Sequence, residues 1–318
     1  RNQLYMEFVR ILEEAKPRIF LMENVPNLLL MKKGYFRDLI LSALRDAGYS
    51  NATFIKVTAS DFGVPQNRNR VVFIGTRDED RFPYDLREFL HSQLEDLKEK
   101  KPTTVWEAIG DLPTKVTDSG GLLPYPPKPN VVSRFQRMMR LGSSASPYSR
   151  TVKSQNLSDL PDGIRLHNHH TKEIQARRRR LIGYLRPGQK GDSLPKSIWN
   201  GSRPEKWRRL DPDQPAYTLL ANMHRDLSEF VHPKLDRWIT VREAARLQSF
   251  HDGFIFAGSE WQQLKQIGNA VPPLLGYALG RIASEVLSVI AKRNSTRGKT
   301  LQVVLPISTP RYRVAASL

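Results

Sequence analysis

Apolar residues recur at helical spacing at the amino end of the chain, at Leu4, Phe8, Ile11, Leu12 and Ala15, and Pro17 cannot continue the helix. The pattern predicts a helix over 4–15 followed by a short buried strand at Ile19–Met22. Phe36, Leu39, Ile40, Ala43, Leu44 and Ala47 line one face of a second predicted helix, closed by Gly48. Continuous apolar runs at Ala52–Val57 and Val71–Gly75 predict two further strands. Helices alternating with such strands predict an α/β layer on a mostly parallel sheet.

From about Arg77 to Asp236 the periodicity weakens, and Pro, Gly and basic residues accumulate without long amphipathic segments, as in a second domain or a large insertion. Regular patterning returns at Thr240-Val241-Arg242-Glu243, a capping box opening a helix through Phe250. Pro273 through Lys292 reads as a long amphipathic helix, and residues 293–318 as a basic, loosely held tail. The expected division is therefore 1–112 in the α/β domain, 113–236 in the irregular region, 237–292 returning to the first domain, and 293–318 as the tail.

Charge changes this picture most. The 318 residues carry 50 Lys+Arg against 32 Asp+Glu, a net +18, which points to a polyanionic partner, nucleic acid first. Half of that excess, +9, lies between Arg177 and Arg209, interleaved with Tyr184, Trp199 and Trp207. Arg177, Arg178, Arg179, Arg180, Arg208 and Arg209 are the expected phosphate contacts, against the blander reading of a solvated charged face. Cys is absent, which excludes disulfides, Cys-ligated zinc and a cysteine nucleophile carried by this chain. The most apolar stretch, Ala270–Ala291, contains Arg281 and Glu285, and the amino end has no signal pattern, so an intracellular protein without membrane segments is expected. The first residue is Arg1 and not Met, which suggests a fragment, a processed product or part of something longer.

Three short segments carry candidate chemistry. Ile19-Phe20-Leu21-Met22-Glu23 puts a carboxylate at the end of a buried strand, where open α/β sheets bind ligands and a carboxyl group is able to hold or share a proton; the blander reading is a Glu paired with a neighbouring Arg or capping the next helix. Gln66-Asn67-Arg68-Asn69-Arg70 precedes the strand Val71–Gly75; if that strand returns antiparallel, Arg70 and Glu23 face one ligand, a pair able to read the edge of a planar base. Gly268-Asn269-Ala270-Val271-Pro272-Pro273 is a tight turn into a helix whose free N–H groups suit an anion or a ligand carboxylate. His167, His169 and His170 lack the spacing of a metal site and read instead as a polar loop facing DNA. No metal is expected.

Taken in order, PRIFLMENVPNLL (17–29), ASDFGVPQNRNRVVFIGTR (59–77), VWEAIGDLP (105–113), ITVREAARLQSFHDGFIF (239–256) and QIGNAVPP (266–273) resemble the DNA cytosine-5 methyltransferases. The resemblance covers both ends of the chain and leaves the basic middle where that family keeps its target-recognition domain. It implies a partial Rossmann-like methyltransferase sheet with a smaller, mostly irregular or β recognition domain. It also implies transfer of a methyl group from S-adenosylmethionine to carbon 5 of a cytosine flipped out of double-stranded DNA, in a restriction-modification setting. Glu23 would act at ring nitrogen 3 as general acid, Arg70 would hold the carbonyl oxygen, and Arg68 would serve a nearby phosphate or the catalytic loop. Asn269 and Val271 would contact the cofactor, while Arg242, Glu243 and Arg246 would organise the base of the recognition domain.

One departure is large. The family's Gly-rich cofactor loop and Pro-Cys nucleophile block precede the Glu-Asn-Val block, yet only Arg1–Arg18 do so here and no Cys occurs. The expectation is a carboxyl-terminal piece or one subunit of a split enzyme, inactive by itself, whose missing amino-terminal half or partner supplies the nucleophile. The alternative is a catalytically inactive DNA-binding or regulatory subunit. The expected location is the bacterial cytoplasm or another compartment holding DNA.

Overall fold

The computed structural model describes residues 4–118, 120–124, 133–140, 165–223 and 230–296. Helix α1 (Leu4–Ala15) leads into strand β1 (Ile19–Asn24), helix α2 (Tyr35–Asp46), and strands β2 (Thr53–Thr58) and β3 (Asn69–Thr76). Helices α3 (Leu86–Leu97) and α4 (Val105–Ile109) follow. The basic region holds the two-residue strand β4 (Leu123–Pro124), helix α5 (Arg134–Met139), the two-residue strand β5 (Arg165–Leu166) and helix α6 (Ala176–Gly183). Helices α7 (Val241–Leu247), α8 (Glu260–Asn269) and α9 (Pro273–Thr296) close the described chain.

The main sheet has the order β1-β3-β2, and both of its pairings are antiparallel, which corrects the expected mostly parallel sheet. The apolar runs did mark buried strands; their direction was set by the loop 59–68, which returns β3 between its two predecessors. Seven of the eight residues of β3 are buried, as a central strand covered on both faces requires. Its side chains alternate between two cores. Val71 and Phe73 join Phe20, Ile40 and Leu44 under α1 and α2, whereas Val72 and Ile74 join Ile55, Leu90 and Leu275 under α3 and α9. Gly75 is required at the crowded end of β3, because a Cβ there would lie 2.6 Å from the Phe20 ring and 3.3 Å from the Ala52 backbone.

Helix α3 lies where long amphipathic segments were not expected. Asp85 caps it by accepting from Glu88 N at 2.8 Å, and Leu86, Leu90 and Leu94 form its buried stripe. The capping box at Thr240 is present, but α7 ends at Leu247, three residues short of Phe250. Gly268 and Asn269 belong to the last turn of α8, so the expected tight turn is a helix–helix junction running from Ala270 to Pro272. The stretch Glu260–Arg293 has the length and apolarity of a membrane span, but it breaks at this junction, and Leu275, Ile282, Val286 and Ile290 of α9 sit in the sheet's core. The part of the basic tail beyond Thr296 lies outside the described residues.

Helix α7 is buried on every side and is a polar keystone. Arg246, with no exposed side-chain surface, donates from Nε and Nη2 to the Asp252 carboxylate at 2.5 and 2.7 Å and from Nη1 to the Ala108 carbonyl at 2.9 Å. Glu243 accepts two bonds from Arg237 at 2.7 and 2.8 Å. Burial alone would raise the Glu243 pKa, but the Arg237 guanidinium outweighs it and brings the carboxyl to about 2. Arg246→Met should destabilise the fold by about 3–5 kcal/mol, because the buried Asp252 loses its guanidinium. Urea unfolding checks this; a midpoint within error of the parent chain would mean the ion pair contributes no net stability.

Candidate functional site

Because β1 and β3 are antiparallel, the end of one lies beside the start of the other. Glu23 faces Val72 in register, so Arg70, two residues back on β3, sits diagonal to it on the same sheet face. Glu23 Oε1 lies 2.5 Å from Arg70 Nε, and Arg70 Nη1 donates to the Asn69 carbonyl at 2.8 Å. The Arg70 side chain is 10% exposed and that of Glu23 28%, so the guanidinium is held within the wall while the carboxylate stands at the rim. A planar ring entering at this mouth would meet a carboxyl group and a rigid donor fork together. The expected juxtaposition of Glu23 and Arg70 is present, in the form of a direct ion pair.

Arg68 points elsewhere. It is buried, and its guanidinium donates to the carbonyls of Leu219 at 2.7 Å, Gly268 at 3.0 Å and Ala270 at 3.1 Å. Burial first, and the neighbouring Arg70 charge second, lower its pKa to about 10. Arg68 is thus a strut joining three segments; the phosphate or catalytic-loop contact expected of it is corrected, because those donors are already spent on backbone.

The same strut holds the α8–α9 junction. Gly268 packs so closely on the 220–221 backbone that an added Cβ would lie 2.4 Å from the Leu220 carbonyl oxygen. Asn269 and Val271, the expected cofactor contacts, are exposed on either side of Ala270. Two residues that sequence reasoning passes over complete this interior. Gln66 Nε2 donates to Gln248 Oε1 at 2.6 Å, and Gln248 Nε2 donates to the carbonyls of Ile267 at 3.0 Å and Ala270 at 2.8 Å. Their only sequence signal is membership of the QNRNR and ARLQSF blocks, since a buried amide leaves no trace in hydrophobic periodicity.

The basic region divides. Arg177, Arg178, Arg179 and Arg180 are all exposed on α6, and the Arg178 guanidinium lies over the Trp207 ring at 5.7 Å. Arg208 is half-buried, its guanidinium 3.8 Å from the centre of the Tyr217 ring. Arg209 is buried and donates to the carbonyls of Ile182, Leu185, His232 and Leu235 and to Asp236. It therefore pins α6 to the 231–236 segment, and its expected phosphate contact is corrected because no donor-bearing edge faces solvent. The histidine loop is also corrected. His169 is buried, with its ring between the Pro113 carbonyl at 2.8 Å and the Thr240 hydroxyl at 3.1 Å, and Asn168 and His170 are buried with it against the start of α7, leaving only His167 partly exposed. Among the described residues, no cluster of His, Asp and Glu could hold a metal.

A carboxylate–guanidinium pair at the strand ends of a sheet covered by helices on both faces, in a chain with an irregular and strongly basic region, gives an α/β architecture with a polar site at one end of its sheet. The chain belongs to the C-5 cytosine-specific DNA methylase family, whose sequence model matches residues 1–284. It is 30% identical to the type II methyltransferase M.AgeI of Thalassovita gelatinovora, over 91% of this chain and 78% of that protein. It is 35% identical to M.DdeI of Desulfomicrobium norvegicum, over 88% of this chain and 66% of that protein. Among solved structures, a DNA modification methyltransferase encoded within an E. coli prophage matches 90% of this chain and 74% of its own with a TM-score of 0.66 at 25% identity. The S. pombe Dnmt2 methyltransferase matches in fold, with a TM-score of 0.50 at 13% identity. The matches thus span between 66% and 78% of these relatives' own length.

Proposed function

We propose that this chain is the carboxyl-terminal part of a restriction-modification DNA cytosine-5 methyltransferase. In this reading it binds a cytosine flipped from double-stranded DNA against the Glu23–Arg70 pair. The observation that carries the reading is the diagonal Glu23–Arg70 pair, 2.5 Å apart where β1 ends and β3 begins. Arg70 orients the ring through its carbonyl oxygen, and Glu23 holds the proton at ring nitrogen 3 that offsets the negative charge growing on the ring. The thiolate that adds to carbon 6 comes from a preceding segment or a partner subunit, because this chain has no Cys. Such a partner also supplies the Gly-rich part of the cofactor pocket.

Two features support a missing neighbour. Among the described residues β1 pairs only with β3, so its outer edge is an open ladder. Leu4, Met6, Ile11, Val25 and Leu30, in and beside α1 and β1, are exposed apolar side chains. For S-adenosylmethionine, the exposed Asn269 amide and the exposed apolar face of Val271 fit one edge of an adenosine-bearing ligand; the Ala270 carbonyl between them is already bonded. S-adenosylmethionine, when bound, supplies the methyl group that carbon 5 receives.

Duplex contact falls to the exposed Arg177–Arg180 run and to Arg208, held flat on Tyr217. Such cations act on phosphate and carry no sequence information. Neutralising Arg177–Arg180 should therefore weaken cognate and non-cognate duplexes by a similar factor and flatten the plot of log K against log salt by about 0.9 for each phosphate no longer neutralised. Exchanging residues 114–236 for those of a relative should instead change which cytosine is methylated. An unchanged salt slope would return the arginines to a solvated face, and an unchanged target would remove recognition from this region.

A further inference from the structure

Four segments distant in sequence meet at one buried polar node. The amide of Gln66, which has no exposed surface, donates to Gln248 Oε1 at 2.6 Å and to the Leu247 carbonyl at 3.2 Å, and it accepts from Leu219 N at 2.9 Å. Gln248, equally buried, passes the connection to Ile267 and Ala270 at the α8–α9 junction. Arg68 closes the loop by donating to Leu219 on one side and to Gly268 and Ala270 on the other. The 216–221 segment is also tied directly to the QNRNR loop, through Asn67 N to the Ala216 carbonyl at 2.8 Å and the Thr218 hydroxyl to the Asn67 carbonyl at 2.7 Å.

Every partner in this node is backbone or another node residue, so a shift of the junction cannot be absorbed by a rotating surface side chain. Gly268 removes the remaining slack, since its Cα lies against the Leu220 carbonyl with no room for a methyl group. The bonds that join the four segments persist together only when the segments move as one body.

We infer that Gln66, Gln248 and Arg68 are positioning residues that couple the Asn269–Val271 junction to the 216–221 segment and to the 66–68 loop that leads into Arg70, so that cofactor and DNA binding reinforce one another. The assignment of the junction to the cofactor and of the strand mouth to DNA rests on the function proposed above; the mechanical coupling does not. Linkage makes the effect reciprocal: whatever factor the cofactor adds to DNA affinity, DNA adds to cofactor affinity.

The test starts with the chain itself. Amide hydrogen exchange is followed by mass spectrometry in Gln66→Met, Gln248→Met and, as a control of similar burial outside the node, Gln263→Met, whose amide bonds the Gly258 carbonyl. Cutting the link at Gln66, which touches the 216–221 side, should speed exchange at 264–272 by about fivefold or more, as loss of a buried hydrogen bond implies. Cutting it at Gln248 should do the same at 216–223, so either variant suffices if the other fails to fold. Gln263→Met, which lies on the 264–272 side but outside the node, should leave exchange at 216–223 unchanged. Loosening confined to the side of the substitution, or equal loosening of 216–223 in the control, overturns the coupling.

In the complete enzyme, S-adenosylhomocysteine should raise duplex affinity, and Gln66→Met should bring that enhancement close to one while each ligand still binds alone. Unchanged enhancement in that variant overturns the inference. If the parent enzyme binds no S-adenosylhomocysteine while the exchange coupling holds, the cofactor reading falls and the node stands.

Discussion

The purified 318-residue chain is expected to transfer no methyl group to duplex DNA. Attack on carbon 6 requires a thiolate, and a serine or lysine does not substitute for it, because an alcohol or ammonium at neutral pH is a far weaker nucleophile toward an aromatic ring. The assay is incorporation of tritiated methyl from S-adenosylmethionine, with and without the segment or subunit that carries a Pro-Cys block. The expected contrast is all or none. Turnover by the chain alone would show that the mechanism carried over from the family does not apply here.

Once the enzyme is complete, Glu23→Gln should lower turnover by about 10²-fold or more with little change in duplex affinity. Glutamine keeps the shape and can still accept a hydrogen bond from Arg70, but it cannot hold and return a proton. The loss should therefore fall on the chemical step, while binding, which we assign to the exposed arginines of α6, stays nearly constant. Single-turnover kinetics separate the two quantities. If the variant turns over at a rate close to the parent's, the Glu23–Arg70 pair is a structural clasp between β1 and β3 and nothing more.

Much of this is legible from residue order alone. Periodicity locates α1, α2, β1, β2, β3 and α9 to within a few residues, because each buries a continuous stripe or run that water rejects. The antiparallel return of β3 depends on the hairpin across residues 59–68, and that return brings Glu23 to Arg70. Helix α3 is also signalled, by Asp85 and the stripe Leu86, Leu90 and Leu94, but the polar residues between those leucines mask the signal in a charge-rich region.

The arginines mark the limit. Arg68 and Arg70 stand two apart in one motif, and Arg208 and Arg209 are adjacent, yet in each pair one guanidinium meets the Glu23 carboxylate or an aromatic ring and the other is consumed by buried carbonyls. A guanidinium has the same charge and the same five donors wherever it sits, so its residue type cannot say whether those donors meet phosphate, base or backbone. The family, the two strands that carry the site and the missing thiol follow from the sequence. Only the tertiary structure decided which basic residues are available to a ligand, because that depends on carbonyls supplied by segments up to 200 residues away, such as the Gly268 carbonyl that Arg68 binds.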